Sequence, residues 1–143
     1  MSYNPFTRQG YQAATGRFNQ NQSGSALPQG SPVKITSSGI SLVDVSQEGD
    51  VDAFAGVLAN DSANGTNGQV ISSGSIPNIT TSFAVGSIIY ISKTGILTNV
   101  KPSIGVNGFG EGDFIIKIGM IAQNVDNTMN KDLLVQIQHM GQL

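Results

Sequence analysis

The chain has no cysteine and no tryptophan, a single histidine, and charged residues at only 11% of its 143 positions. Without cysteine there is no disulfide, thiolate nucleophile, zinc–thiolate site or iron–sulfur cluster to consider. One histidine, His139, cannot build an imidazole metal site within a single chain. Together these absences remove most cofactor-dependent enzyme classes, and the expectation is a protein with no cofactor and no catalytic site. No apolar run approaches the roughly 20 residues a membrane-spanning helix needs. The opening Met1-Ser2-Tyr3-Asn4-Pro5-Phe6 lacks the basic-then-apolar pattern of a signal peptide. The reading is a chain that begins in the cytoplasm and has no membrane partner. A net charge of −2 and a pI near 5.0 give no field that would draw it to nucleic acid.

Strong helix formers are scarce too. Gly fills 18 positions, and much of the remainder is Ser, Asn, Thr, Ile and Val, which suit short strands and turns. The expected fold is all-β, a small β-sandwich or barrel of about eight short strands preceded by an extended amino-terminal arm. One domain accounts for a chain of this length.

Two compositions divide the chain. Residues 1–31 hold both arginines, Arg8 and Arg17, no acidic residue, and the aromatics Tyr3, Phe6, Tyr11 and Phe18. They show neither a period of 2 nor one of 3.6, and Gly24, Pro28, Gly30 and the following Pro32 interrupt any regular element. Such a segment builds no core, yet a solvated linker is normally poor in aromatics. It reads as an attachment arm that gains order on a partner's surface. Tyr3, Phe6, Tyr11 and Phe18 then fill apolar pockets, and Arg8 and Arg17 pair with carboxylates. Fully extended, such an arm spans up to roughly 100 Å. From residue 32 to residue 143 the charge balance is five lysines against nine carboxylates. Here short β-branched runs alternate with turn clusters: 33–36, 40–45, 54–59, 69–72, 88–91, 95–98, 114–121 and 133–139. The stretch from Asn60 to Gly68 reads as a hairpin tip.

Several strings invite chemistry and fail on context. Ser31-Pro32-Val33-Lys34 with Lys93-Thr94-Gly95 fits the motif pair of penicillin-interactive serine enzymes. That serine must open a buried helix, whereas Pro32 leads into a strand. Asp61 to Gly68 lacks the twelfth-position acid of a calcium loop. Gly105 to Gly112 is glycine-dense without the strand-to-helix context of a phosphate cradle, and reads as a mobile loop. Glu48, Asp50 and Asp52 read as a solvated loop rather than the opposed carboxylates of a glycosidase.

Residues 85–122 carry a resemblance. Val85-Gly86-Ser87-Ile88-Ile89-Tyr90-Ile91-Ser92, then Thr94-Gly95-Ile96-Leu97-Thr98-Asn99-Val100-Lys101-Pro102, then Gly112-Asp113-Phe114-Ile115-Ile116-Lys117-Ile118-Gly119-Met120-Ile121 resemble a module of tailed-bacteriophage virion proteins. In that module a "VGDxVYLS" strand precedes a "GxLTxxKP" hairpin and an "xxxIGxVL" closing strand. Ser87 stands where the pattern often has Asp, and the loop from Ser103 to Gly112 is longer than usual. The resemblance implies a small, commonly trimeric β-domain seated on a capsid or tail, without a cofactor. The function it implies is a virion structural protein, a capsid decoration or cement protein or a short head fibre. Its partner is then the major capsid protein or another virion protein, held through the amino-terminal arm. The alternative is a tail or fibre component that binds a host receptor or glycan, for which Tyr90 is the one aromatic candidate singled out on the β-domain. A small hydrolase is the third reading.

Overall fold

The computed structural model describes residues 15–143, which form nine strands and one short helix. In chain order they are β1 (Thr15–Gln20), β2 (Pro32–Thr36), β3 (Gly39–Leu42), α1 (Glu48–Asp52), β4 (Phe54–Leu58), β5 (Asn67–Ile76), β6 (Ile88–Ile91), β7 (Leu97–Thr98), β8 (Phe114–Gln123) and β9 (Lys131–Gln142). The fold is all-β, as its composition predicts. Strands β2 to β9 make one curled antiparallel sheet, a half-barrel, in the order β3-β2-β4-β5-β9-β8-β6-β7. Strand β1 adds to β5.

Adjacent residues of the β4–β5 ribbon feed separate cores. The paired Val57 and Ile71 belong to the larger cluster, whereas the paired Leu58 and Val70 belong to the smaller. Consecutive side chains on a strand point to opposite faces, so a ribbon covered on both sides must be apolar without alternation. That is why Phe54 to Leu58 reads as a continuous run. The larger core gathers Ile89 and Ile91 of β6, Ile116, Ile118 and Ile121 of β8, and Leu133 and Val135 of β9. The smaller is Leu27, Val33, Ile40, Leu58 and Val70.

The structure redraws the amino-terminal boundary. The expected arm ends at residue 31, but residues 15–31 are integral to the sheet. Strand β1 runs antiparallel to β5 from Thr15↔Ser73 to Gln20↔Asn67. Asn21 then bridges Ile40 of β3 in parallel, so the order β1-β5-β4-β2-β3 closes back on itself around the smaller core. Leu27 plugs that core at 3% exposure and exchanges two 2.8 Å backbone hydrogen bonds with Ser62. Periodicity missed this segment because polar groups do its work. Asn21 is fully buried, and its Nδ2 donates to the carbonyls of Ser25 (2.9 Å) and Ser62 (2.8 Å). Its Oδ1 accepts from the Ser23 N–H (3.0 Å) and hydroxyl (2.7 Å). Every side-chain valence of Asn21 used here ties the segment to itself or to the β4–β5 loop.

Breaking that lock has a defined cost. Asn21→Ala is expected to lower the unfolding free energy by about 3 kcal/mol, because buried carbonyls lose their donor. Asn21→Asp, the same shape, is expected to cost at least as much at pH 7, since a carboxylate then faces two carbonyl oxygens. Urea unfolding followed by circular dichroism checks both. A loss below about 0.5 kcal/mol, the range of ordinary surface substitutions, would remove Asn21 from this role.

Candidate functional site

The loops that drew attention in the sequence are held by specific hydrogen bonds. In the β4–β5 loop, Asp61 Oδ1 accepts from the Gln29 N–H (2.7 Å), Asn64 Oδ1 from the Gly24 N–H (3.0 Å) and Asn60 Oδ1 from the Gln69 N–H (2.9 Å). Asp61 and Asn64 thus anchor the chain at Gly24 and Gln29, and Asn60 fixes the start of β5. Residues 48–52 are the helix α1 rather than a loop, and Val51 buries into the larger core. Asp50 Oδ1 pairs with Lys34 Nζ at 2.6 Å while its Oδ2 accepts from the Asp44 N–H at 3.0 Å. Both oxygens are committed to joining α1 to β2 and to the end of β3. Ser31 Oγ donates to the Pro28 carbonyl at 2.7 Å, just before β2 rather than on a helix.

The glycine-dense loop differs from the mobile loop expected. Phe109 is 4% exposed in the larger core, its carbonyl accepts from the Gly105 N–H (2.8 Å), and Gly112 and Asp113 hydrogen-bond the carboxy-terminal Leu143. Asp113 organises this corner: both carboxylate oxygens accept from Lys93 Nζ at 2.7 Å, and Oδ2 also accepts from the Gly110 N–H at 2.8 Å. The Lys93 hydrogen bond, reinforced by the Gly110 N–H and the ammonium charge, holds the Asp113 carboxyl below its ordinary value against the opposing effect of burial. Asp44 is lowered as well, by hydrogen bonds from the hydroxyl and N–H of Ser46. A carboxyl whose folded pKa lies below its unfolded value, about 3.9, contributes stability that is complete above that value and lost as pH falls through the folded pKa. The urea midpoint is therefore expected to fall as pH drops below about 4. Asp113→Asn should lower the midpoint at pH 7 and flatten that acid limb, and an unchanged limb would contradict the assignment.

Of the residues predicted to bind a partner, Tyr3, Phe6, Arg8 and Tyr11 lie outside the described residues. Arg17 and Phe18 lie on β1, paired with Val70 and Gln69 of β5. Both are exposed, Phe18 at 69%. As strand neighbours they project to opposite faces, so the structure does not gather them into one patch. Tyr90, the one aromatic candidate named for the glycan reading, is only 8% exposed and offers no open ring face. His139 is exposed on β9 with its ring edge-on to Phe54, centroids 6.4 Å apart. Among the described residues there is no group of three or more His, Cys, Asp and Glu placed to hold a metal, and no helix long and apolar enough to cross a membrane.

Three exposed apolar features are not visible in the sequence. On the sheet surface, Ile88 of β6, Met120 of β8 and Leu134 of β9 stand in cross-strand register, each 37–38% exposed, beside a hollow of about 90 Å³. At the β8–β9 turn, Val125 and Met129 are 91% and 87% exposed. Next to that turn, a groove of about 180 Å³ is lined by Pro28, Ile79, Phe83, Leu97 and Ile121. It adjoins a second hollow of about 260 Å³ through Ile79, Thr80 and Thr81. Exposed apolar surface of this kind is what contacts with another macromolecule cover. Comparison with family models, with curated proteins and with solved structures returned no match.

Proposed function

We propose that this chain is a non-enzymatic structural protein of a tailed-bacteriophage virion, a capsid decoration or cement protein or a short head fibre. It assembles as a homotrimer and attaches to the major capsid protein or another virion protein through its amino-terminal residues. The observation that carries the reading is the solvent exposure of both Arg17 and Phe18, on opposite faces of β1, directly after a segment that holds Tyr3, Phe6, Arg8 and Tyr11 and no acid. Among the described residues Arg17 has no ion-pair partner, the two pairs being Lys34–Asp50 and Lys93–Asp113. An exposed aromatic and an unpaired guanidinium are the groups that anchor protein interfaces. Because residues 15–31 are tied into the sheet, the attachment segment narrows to residues 1–14, with the exposed Arg17 and Phe18 of β1 following it. The body behind it has few charges, and this favours permanent packing against neighbours, since desolvating charge at an interface core is poorly repaid.

The test uses the full chain and particles assembled from the virion proteins encoded beside its reading frame. Replacing Tyr3, Phe6, Arg8 and Tyr11 together by Ala is expected to weaken co-sedimentation with the particle about 100-fold or more, since one buried anchor is worth about 2 kcal/mol or more. Circular dichroism should be unchanged. Particle binding that survives all four substitutions would overturn the attachment role.

A further inference from the structure

The β8–β9 turn spends much hydrogen bonding on holding two apolar side chains in water. Asn124 Oδ1 accepts from the N–H groups of Asp126 and Asn127, both at 2.9 Å, and Asn127 Oδ1 accepts from the Met129 N–H at 3.0 Å. Asn124 Nδ2 donates to Asp132 Oδ1 at 2.9 Å and Asn130 Nδ2 to Asn78 Oδ1 at 3.0 Å, fastening the base of the turn to the 78–83 segment. Val125 and Met129 are the two most exposed large apolar residues described. Met129 borders the second hollow of its own chain and still is not covered by it. A turn this well ordered gives up little entropy when a surface closes over it.

Charge is arranged to match. Asp126, between the two apolar side chains, is exposed, and its carboxylate has no hydrogen-bond or ion-pair partner among the described residues. Lys131 lines the second hollow, and its Nζ donates at 2.6 Å to the carbonyl of Phe83, a residue of the groove, and meets no carboxylate there. An apolar projection with an acid therefore stands beside an apolar groove with a base.

We propose that this turn is a self-association plug: Val125 and Met129 of one copy enter the groove lined by Pro28, Ile79, Phe83 and Leu97 of a second copy, with Asp126 against that copy's Lys131. The contact is heterologous, projection to groove, which is the kind that closes a ring of three. It rests on the homotrimer of the preceding reading and gives it a location, separate from the amino-terminal attachment segment.

Sedimentation equilibrium of the full chain over a concentration series tests it. The unmodified chain is expected to self-associate, and Val125→Ser with Met129→Ser to raise the dissociation constant about tenfold or more, the effect of 1.4 kcal/mol, without moving the thermal midpoint at concentrations where both chains are dissociated. Asp126→Lys should weaken association likewise, and Asp126→Lys with Lys131→Asp should recover part of it. Association unaffected by the Val125/Met129 pair would overturn the plug and leave the trimer standing. A chain monomeric at every concentration would overturn both, while particle binding is read independently.

Discussion

Replacing Gly119 with alanine is expected to unfold the protein or to cost it about 4 kcal/mol or more, at the extreme of single-residue effects. Gly119 lies inside β8, paired with Ile89 of β6 on one side and Val135 of β9 on the other, at a register shift in the β8–β9 ladder. A methyl group there would overlap the carbonyl oxygen of Leu134 and sit 2.9 Å from its carbon and 3.3 Å from the Gln136 nitrogen. These are backbone atoms of the neighbouring strand, so no side-chain rotation relieves the clash. The two strands would have to part, and with them Ile116, Ile118, Ile121, Leu133 and Val135 of the larger core. β8 can bulge against β9 only where a Cβ is missing, which is why position 119 is Gly. Gly110 and Gly49 are the controls. Neither has any atom within 4 Å of an added Cβ, and at Gly49 in α1 alanine should gain about 0.5–1 kcal/mol from helix propensity and lost chain entropy. Urea midpoints of the three variants separate the cases, and a Gly119→Ala midpoint close to that of the unmodified chain would refute this account of the β8–β9 register.

Elements built from apolar side chains were readable in the sequence, and those built from polar ones were not. Ile88 to Ile91, Phe54 to Leu58 and Pro32 to Thr36 declare themselves because branched apolar residues between turn clusters have few other uses. Strand β5 runs past its legible start into Ser73 to Ser75, where backbone pairing with Leu134 to Gln136 of β9 continues without apolar side chains to mark it. Strand β1, Thr-Gly-Arg-Phe-Asn-Gln, has no apolar alternation because its value lies in the backbone bonds it gives β5. The short helix α1 has only Val51 to bury and passes for a charged loop. The same division applies to the surface. Arg17 and Phe18 were legible as exposed candidates, but the Val125/Met129 turn was not, since its Asn-rich sequence signals a loop and only the three-dimensional hydrogen bonding gives it a fixed shape. The one available signal was a large apolar residue at each side of Asp126-Asn127-Thr128.

Removing residues 1–14 is expected to leave a folded protein, whereas removing residues 1–31 should destroy the fold. An independent β-domain starting at residue 32 requires the second deletion to be harmless, and the described contacts say otherwise. The longer deletion strips β5 of its partner from Asn67 to Ser73 and removes Leu27 from the smaller core, a loss of about 2–3 kcal/mol in burial alone. It also deletes Asn21, so that the buried Ser62 loses the Asn21 and Leu27 groups that bond its carbonyl and N–H. Ile40, Leu58 and Val70, each at 1% exposure or less, then line a barrel open on one side. Against a total stability of about 5–15 kcal/mol for a domain, the sum of these losses is decisive. The unpaired β5 edge becomes a template for aggregation as well. Size-exclusion chromatography and thermal unfolding of the two truncations distinguish the outcomes. A monodisperse 32–143 fragment that melts with the full chain would return residues 15–31 to the role of a detachable arm. Melting of the 15–143 fragment with the full chain confines that role to the residues ahead of β1.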